Sequence, residues 1–143
     1  MKRILVGLDG SPQESVVLTS ALDLAERLSA KLLLFRAVPL PVEIPSSALG
    51  VSPGALGDLL VEQARTQLAA AAAKVPPSLL EATLVELGSP WRAICDAAKK
   101  HAADLVVIGS HGYGGLDRVL GTTAAKVVNH ADHSVLVVRG VAI

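Results

Sequence analysis

Gly109-Ser110-His111-Gly112-Tyr113-Gly114-Gly115 follows directly on the apolar run Leu105-Val106-Val107-Ile108, and Gly121-Thr122-Thr123 comes shortly after it. A buried strand thus runs into a glycine cluster and then into the start of an amphipathic helix. Glycines let a main chain approach oxyanions closely. The free N–H groups of a helix start add hydrogen bonds and a partial positive charge. Holding phosphate is the chemistry such a run can do, and the run marks a candidate nucleotide site.

A carboxylate belongs to the same picture. Asp9 ends the apolar run Ile4-Leu5-Val6-Gly7-Leu8. Ligands of open α/β sheets lie beyond the carboxyl ends of the strands, where the strand order reverses. If the first strand neighbours the one ending at Gly109, a crevice lies between Asp9 and Gly109. Asp9 could there bond a ribose hydroxyl or help position a Mg²⁺ ion carried in with phosphates. The alternative is that Asp9 only shapes the turn before Ser11.

The glycine run is not a Walker A loop, because no lysine follows Gly121. Lys126 comes one turn into the helix, where it would point away from the helix start. Nor is the run a dinucleotide fingerprint, which opens the first strand–helix turn. No catalytic residue is assigned. His111 sits beside the expected phosphates, but no second acid, activated nucleophile or arginine finger accompanies it, so it reads as a packing or ligand-bonding residue. His130 and His133 lack a third ligand and read as surface residues, with no metal site of their own. Cys95 falls on an apolar stripe and reads as a small core hydrophobe. Arg118 could reach a phosphate or face solvent.

Strands and helices alternate along the chain. Ile4–Leu8, Leu32–Val38, Leu80–Leu87, Leu105–Ile108 and Ser134–Arg139 read as strands. Ser11-Pro12-Gln13-Glu14 predicts a helix start, with Ser11 as cap, Pro12 in the first helical position and Glu14 completing a capping box. Val17, Ala21, Leu24, Ala25 and Leu28 share one face of that helix. Residues 39–53 hold four prolines and read as a long surface loop, long enough for a lid. The second helix carries Leu60, Ala64, Leu68, Ala71 and Val75 on one stripe, and Pro76-Pro77 stops it. Ser89-Pro90 opens a third helix with Ile94, Cys95 and Ala98 inward. A fourth starts near Thr122 and turns Ala124, Val127, Val128 and Ala131 inward. Helical crossovers make the strands parallel and the connections right-handed.

Composition narrows the function. The chain of 143 residues suits one domain, 1–143, with a real core. Apolar residues make up 51% of it and aromatics 2%. Val, Leu and Ala in place of aromatics suit a parallel sheet buried on both faces, and leave no stacking platform for single-stranded nucleic acid. A formal net charge of zero gives no footprint for nucleic acid or an anionic membrane. One cysteine excludes an intrachain disulfide and fits a reducing cytoplasm. The apolar run after Met1-Lys2-Arg3 breaks at Asp9, too early for a secretory signal, and no segment has the length of a membrane span.

The run from Asp104 to Arg139, DLVVIGSHGYGGLDRVLGTTAAKVVNHADHSVLVVR, resembles the C-terminal half of a universal stress protein, and ILVGLDGSPQES resembles that family's first strand and turn. The likeness covers nearly the whole chain. It is weakest from Pro39 to Pro53 and through the second helix. The family's nucleotide-binding branch has Gly, two residues, Gly, nine residues, Gly, then Ser or Thr. Gly109, Gly112 and Gly121-Thr122 match these elements, with eight residues in the second gap. The resemblance implies a Rossmann-like α/β fold: a single-domain, open, five-stranded parallel sheet with helices on both faces, in strand order 3-2-1-4-5.

It also implies ATP (or AMP or ADP) as ligand, with or without Mg²⁺ near Asp9. Leu8 and Asp9 would line ribose and adenine, and Ala37 would meet the base through its backbone. Gly109, His111 and Gly112 would wrap ribose and phosphates, while Gly121, Thr122 and Thr123 would hold phosphates. The last strand, apolar and expected at the sheet edge, implies a two-fold homodimer through Ser134 to Arg139. The expected function is a cytoplasmic stress-response module that binds nucleotide and is at most a slow ATPase. The rival is a dimeric stress protein that binds no nucleotide and acts through protein contacts.

Overall fold

The computed structural model describes residues 2–39, 53–110 and 120–140. Among these residues there are five strands: β1 (Arg3–Gly7), β2 (Lys31–Val38), β3 (Leu80–Leu87), β4 (Leu105–Gly109) and β5 (Ser134–Val138). Four helices alternate with them: α1 (Glu14–Leu28), α2 (Pro53–Ala72), α3 (Pro90–Lys100) and α4 (Thr122–His130). The strands form one sheet in the order β3-β2-β1-β4-β5, and every pair is parallel. The expected α/β architecture and strand order are those observed.

Both sheet faces are buried, and the alternation of side chains sorts the core into two clusters. Ile4, Val6, Leu8, Leu32, Leu34 and Val107 pack against α1 and α2. Leu5, Leu33, Phe35, Val106 and Ile108 pack against α3 and α4. Continuous apolar runs with no polar partner face are what such a doubly covered sheet requires. Each fully buried Leu, Ile or Phe stabilises the fold by about 1.5–3 kcal/mol. Among the described residues, no helix is long and apolar enough to cross a membrane.

The expected α1 start is corrected. The helix begins at Glu14, with Gln13 in the N-cap position at φ −82° and ψ −6°. Ser11 to Glu14 instead form a turn in which the Glu14 N–H donates to the Ser11 carbonyl at 3.0 Å. Proline suits the second position of a type I turn as well as the first position of a helix, and Gln13 has the dihedral angles of that turn's third position. Asp9 shapes the segment before that turn, its Oδ1 accepting the Ser11 N–H at 2.9 Å, and no side chain caps α1 itself. At α3 the Ser-Pro device holds its expected place. Ser89 is the N-cap and Pro90 follows it, though the Ser89 hydroxyl makes no capping bond.

Three stripe assignments also change, the first at Leu28 in the last turn of α1, which is 42% exposed. Val128 is 48% exposed, while Ala124 and Val127 are buried. α4 packs against α3 and the edge strand β5, so its flank beyond that edge meets no further element among the described residues. Leu60 is half-buried, and Val75 is buried in the turn after α2 rather than on the helix.

Candidate functional site

The carboxyl ends of β1, β2 and β4 open into a crevice of about 810 Å³. That volume is in the range of small-molecule sites, roughly 300–1,000 Å³. Its position follows from the topology. The chain leaves β1 toward α1 on one face of the sheet and leaves β4 toward α4 on the other, so the ends of the two neighbouring strands separate.

Main-chain bonds set the walls. The Leu8 N–H donates to the Phe35 carbonyl at 2.9 Å, which keeps β1 and β2 paired to the crevice floor. The Ser110 N–H donates to the Val138 carbonyl at 2.9 Å, and the Gly121 N–H to the Ser110 carbonyl at 3.3 Å. These bonds draw the start of α4 against the end of β4. Gly121 is the N-cap of α4 in extended conformation, φ −61° and ψ 161°. The free N–H groups of the first α4 turn therefore lie beside Gly109.

Leu8, Asp9, Ala37, Gly109, Thr122 and Thr123 all line the crevice. Gly121 is buried directly behind them and does not line it. His111, Gly112 and Arg118 lie outside the described residues. The floor is glycine and apolar side chain. A Cβ on Gly7 would stand 3.0 Å from Ile108 Cγ2 and 3.4 Å from Ile94 Cδ1, so the strand end is as narrow as it can be.

Asp9 is exposed, and its engagement by Ser11 shows that it does shape its own turn. It is also a carboxylate lining the crevice. The two readings weighed for it are compatible, because the bond takes one carboxylate oxygen.

Sequence reasoning missed the wall across from α4. Arg36 lines the crevice, as do Gln63 and Gln67 of α2. Arg36 is half-buried, and its Nη2 donates to the Asp9 carbonyl at 3.4 Å. Gly10 has φ +76°, and a Cβ there would run into the Arg36 guanidinium. A cation interrupting the apolar run from Leu32 to Val38 was the available signal. Gln63 and Gln67 left none, since only the packing of α2 on β2 and β3 brings them to the site.

The remaining candidates lie elsewhere. Cys95 is half-buried against the α3/α4 cluster. Burial pushes its thiol pKa up, and nearby Asp96 and Asp132 add to the effect. The thiolate is thus disfavoured and the residue acts as a packing group. The His130 ring lies 4.7 Å from that of Trp91, and the Lys126 Nζ sits 5.8 Å over the same indole. Lys126 therefore rests on the start of α3 and is not among the residues that line the crevice.

A parallel, doubly covered α/β sheet with an open crevice at its β1/β4 reversal defines a class of ligand-binding α/β proteins. The comparisons name the family within it. The model of the universal stress protein family matches residues 1–139, and the chain belongs to that family. A universal stress protein of Synechocystis is 31% identical over 96% of this chain and 97% of its own length. The structure of the universal stress protein UspA from Lactobacillus plantarum is 29% identical, covers 96% of this chain and 97% of its own, and superposes with a TM-score of 0.79. A universal stress protein in complex with cAMP is 27% identical, with 96% of each chain covered and a TM-score of 0.59.

Proposed function

We infer that the β1/β4 crevice binds an adenine nucleotide and that the chain serves as a stress-response regulatory or protective module in the cytoplasm. The observation that carries this reading is the convergence of Leu8, Asp9, Ala37, Gly109, Thr122 and Thr123 on one crevice. The family resemblance implies these same positions as ligand-lining. A family member in complex with cAMP supports it.

In this reading the phosphates sit on the main-chain N–H groups and hydroxyls of the first α4 turn, where the helix dipole favours anions. The base lies against the ends of β1 and β2, near Ala37. Gly109, His111 and Gly112 wrap the ribose and phosphates, and Gly121 lets the backbone come close to the anion. A Mg²⁺ ion bound to the phosphates suits this donor set. Such an ion needs only one or two carboxylates besides phosphate oxygens and water, and Asp9 supplies one. We assign no general base or nucleophile, so turnover of ATP is slow or absent.

β5 is an edge strand, and Leu136 on it is 38% exposed. We assign the homodimer contact to this edge, from Ser134 to Arg139. An apolar strand at the edge of a sheet is a template for another strand.

The test is isothermal titration calorimetry with ATP and AMP, together with nucleotide extraction from heat-denatured protein. Saturable binding is expected. Gly121→Val should weaken it by about tenfold or more, since a side chain on this buried N-cap residue displaces the first α4 turn that carries the donors. Unaltered affinity in that variant would remove the α4 start from the site. The eight-residue gap before Gly121 favours the second reading, a dimeric protein that binds no nucleotide. Extraction without nucleotide, together with flat titrations, would establish it.

A further inference from the structure

The two walls of the crevice differ in charge. The α4 wall offers main-chain N–H groups and the hydroxyls of Thr122 and Thr123. The α2 wall offers the Arg36 guanidinium and the amides of Gln63 and Gln67, which are one helical turn apart. Among the described lining residues, Asp9 is the sole carboxylate.

The register fixes where Arg36 sits. Phe35 is level with Gly7, so Arg36 is level with Leu8, next to the start of the β1–α1 turn. Its guanidinium lies over the Asp9–Gly10 peptide, in the space that a Cβ on Gly10 would take. The single bond to the Asp9 carbonyl, at 3.4 Å, is long for a charged donor. None of the ion pairs among the described residues involves Arg36.

Asp9 and Arg36 divide a task that dinucleotide-binding sheets settle one way or the other. There a carboxylate at the strand end bonds free ribose hydroxyls, and an arginine nearby accommodates a phosphate on the ribose. Here the carboxylate is drawn back to the Ser11 N–H, and the guanidinium stands beside it. A guanidinium presents a rigid fork that matches phosphate oxygens and keeps its charge at any working pH. The amides of Gln63 and Gln67 add neutral donors on the same wall.

We propose that the crevice prefers an adenylate with a second phosphate on the ribose, at the 2′ or 3′ oxygen, taken by Arg36. This rests on the adenylate reading above. The 5′ phosphate lies on the α4 start and the ribose phosphate on the α2 wall, so each anion has its own donors.

Calorimetry with 5′-AMP, adenosine 2′,5′-bisphosphate and adenosine 3′,5′-bisphosphate separates the two claims. In the unmodified protein, one bisphosphate should bind about tenfold or more tightly than 5′-AMP. Arg36→Gln should reduce that preference to about threefold or less. Equal affinities for 5′-AMP and both bisphosphates in the unmodified protein would overturn the proposal and leave the adenylate reading standing. This comparison needs no variant to fold. A preference that survives Arg36→Gln would also overturn it, by assigning the ribose phosphate to another group. No binding of any of the three would overturn both.

Discussion

The two ends of the sheet are built from opposite materials. At the amino ends of the strands, polar groups are bound to one another. Asp104 Oδ2 accepts the N–H groups of Lys2 and Arg3 at 2.7 and 3.0 Å. Arg3 reaches Glu81 through Nε at 3.1 Å and the His101 carbonyl through Nη1 at 3.2 Å. At the carboxyl ends, Gly7, Gly10 and Gly109 line or border an open crevice, and Arg36 makes one long bond. One end spends its charges on closing the fold, and the other leaves donors and space for something else. A parallel sheet offers this division because all its strands point the same way, so each end has one chemical character.

The comparison breaks most severely at Gly7. A Cβ there already presses on Ile108 at 3.0 Å, and the two further methyls of valine have no room. Gly7→Val should cost about 1–3 kcal/mol of stability through overpacking, measured by urea denaturation. It should also narrow the crevice floor, so nucleotide affinity should fall in the folded fraction. An unchanged urea midpoint would show that the open end tolerates filling, and the contrast would lose its steric half.

Much of this division was legible in the sequence. The apolar runs of β1, β2 and β4 carry no period that competes with a doubly buried strand, and β5 is as continuously apolar although it lies partly exposed at the sheet edge. β3, at the opposite edge, reads as a partial alternation, with neither face closed along its whole length. The crevice residues at strand ends followed from the same runs, since Asp9 and Gly109 each stand where apolar residues stop. What lay hidden depended on packing between distant segments. Ser11-Pro12 fits a turn or a helix start equally well, and only the Asp9 carboxylate decides between them. Val128 sits on a stripe whose partner sheet ends at β5. Gln63 and Gln67 look like any solvated helix face until α2 is laid across the ends of the strands.

A smaller effect is expected at the bound end. Ala102, exposed in the turn from α3 to β4, has φ +52°, in the left-handed region. An alanine pays about 1 kcal/mol or more for that conformation, and glycine adopts it freely. Ala102→Gly should therefore raise stability by about 0.5–1 kcal/mol, after the greater flexibility of glycine in the unfolded chain is subtracted. Urea denaturation checks it. A loss of stability would mean that the alanine methyl contributes packing that outweighs the strain.

The smallest effect is at Asp104, because water screens an exposed carboxylate. Its two main-chain hydrogen bonds favour the ionised form, so its pKa is held below the ordinary value of 3.8. A carboxyl whose folded pKa is depressed stabilises the fold above its unfolded pKa, and that contribution is lost as pH falls through the folded value. Asp104→Asn should thus lower the melting temperature at pH 7 by less than Gly7→Val does. The difference from the unmodified protein should stay level down to about pH 4 and then shrink as the wild-type carboxyl takes up its proton. A gap that persists unchanged to pH 2 would assign the loss to shape rather than charge. The amino end would then be closed by packing, as the carboxyl end is opened by it, and the electrostatic half of the comparison would fall.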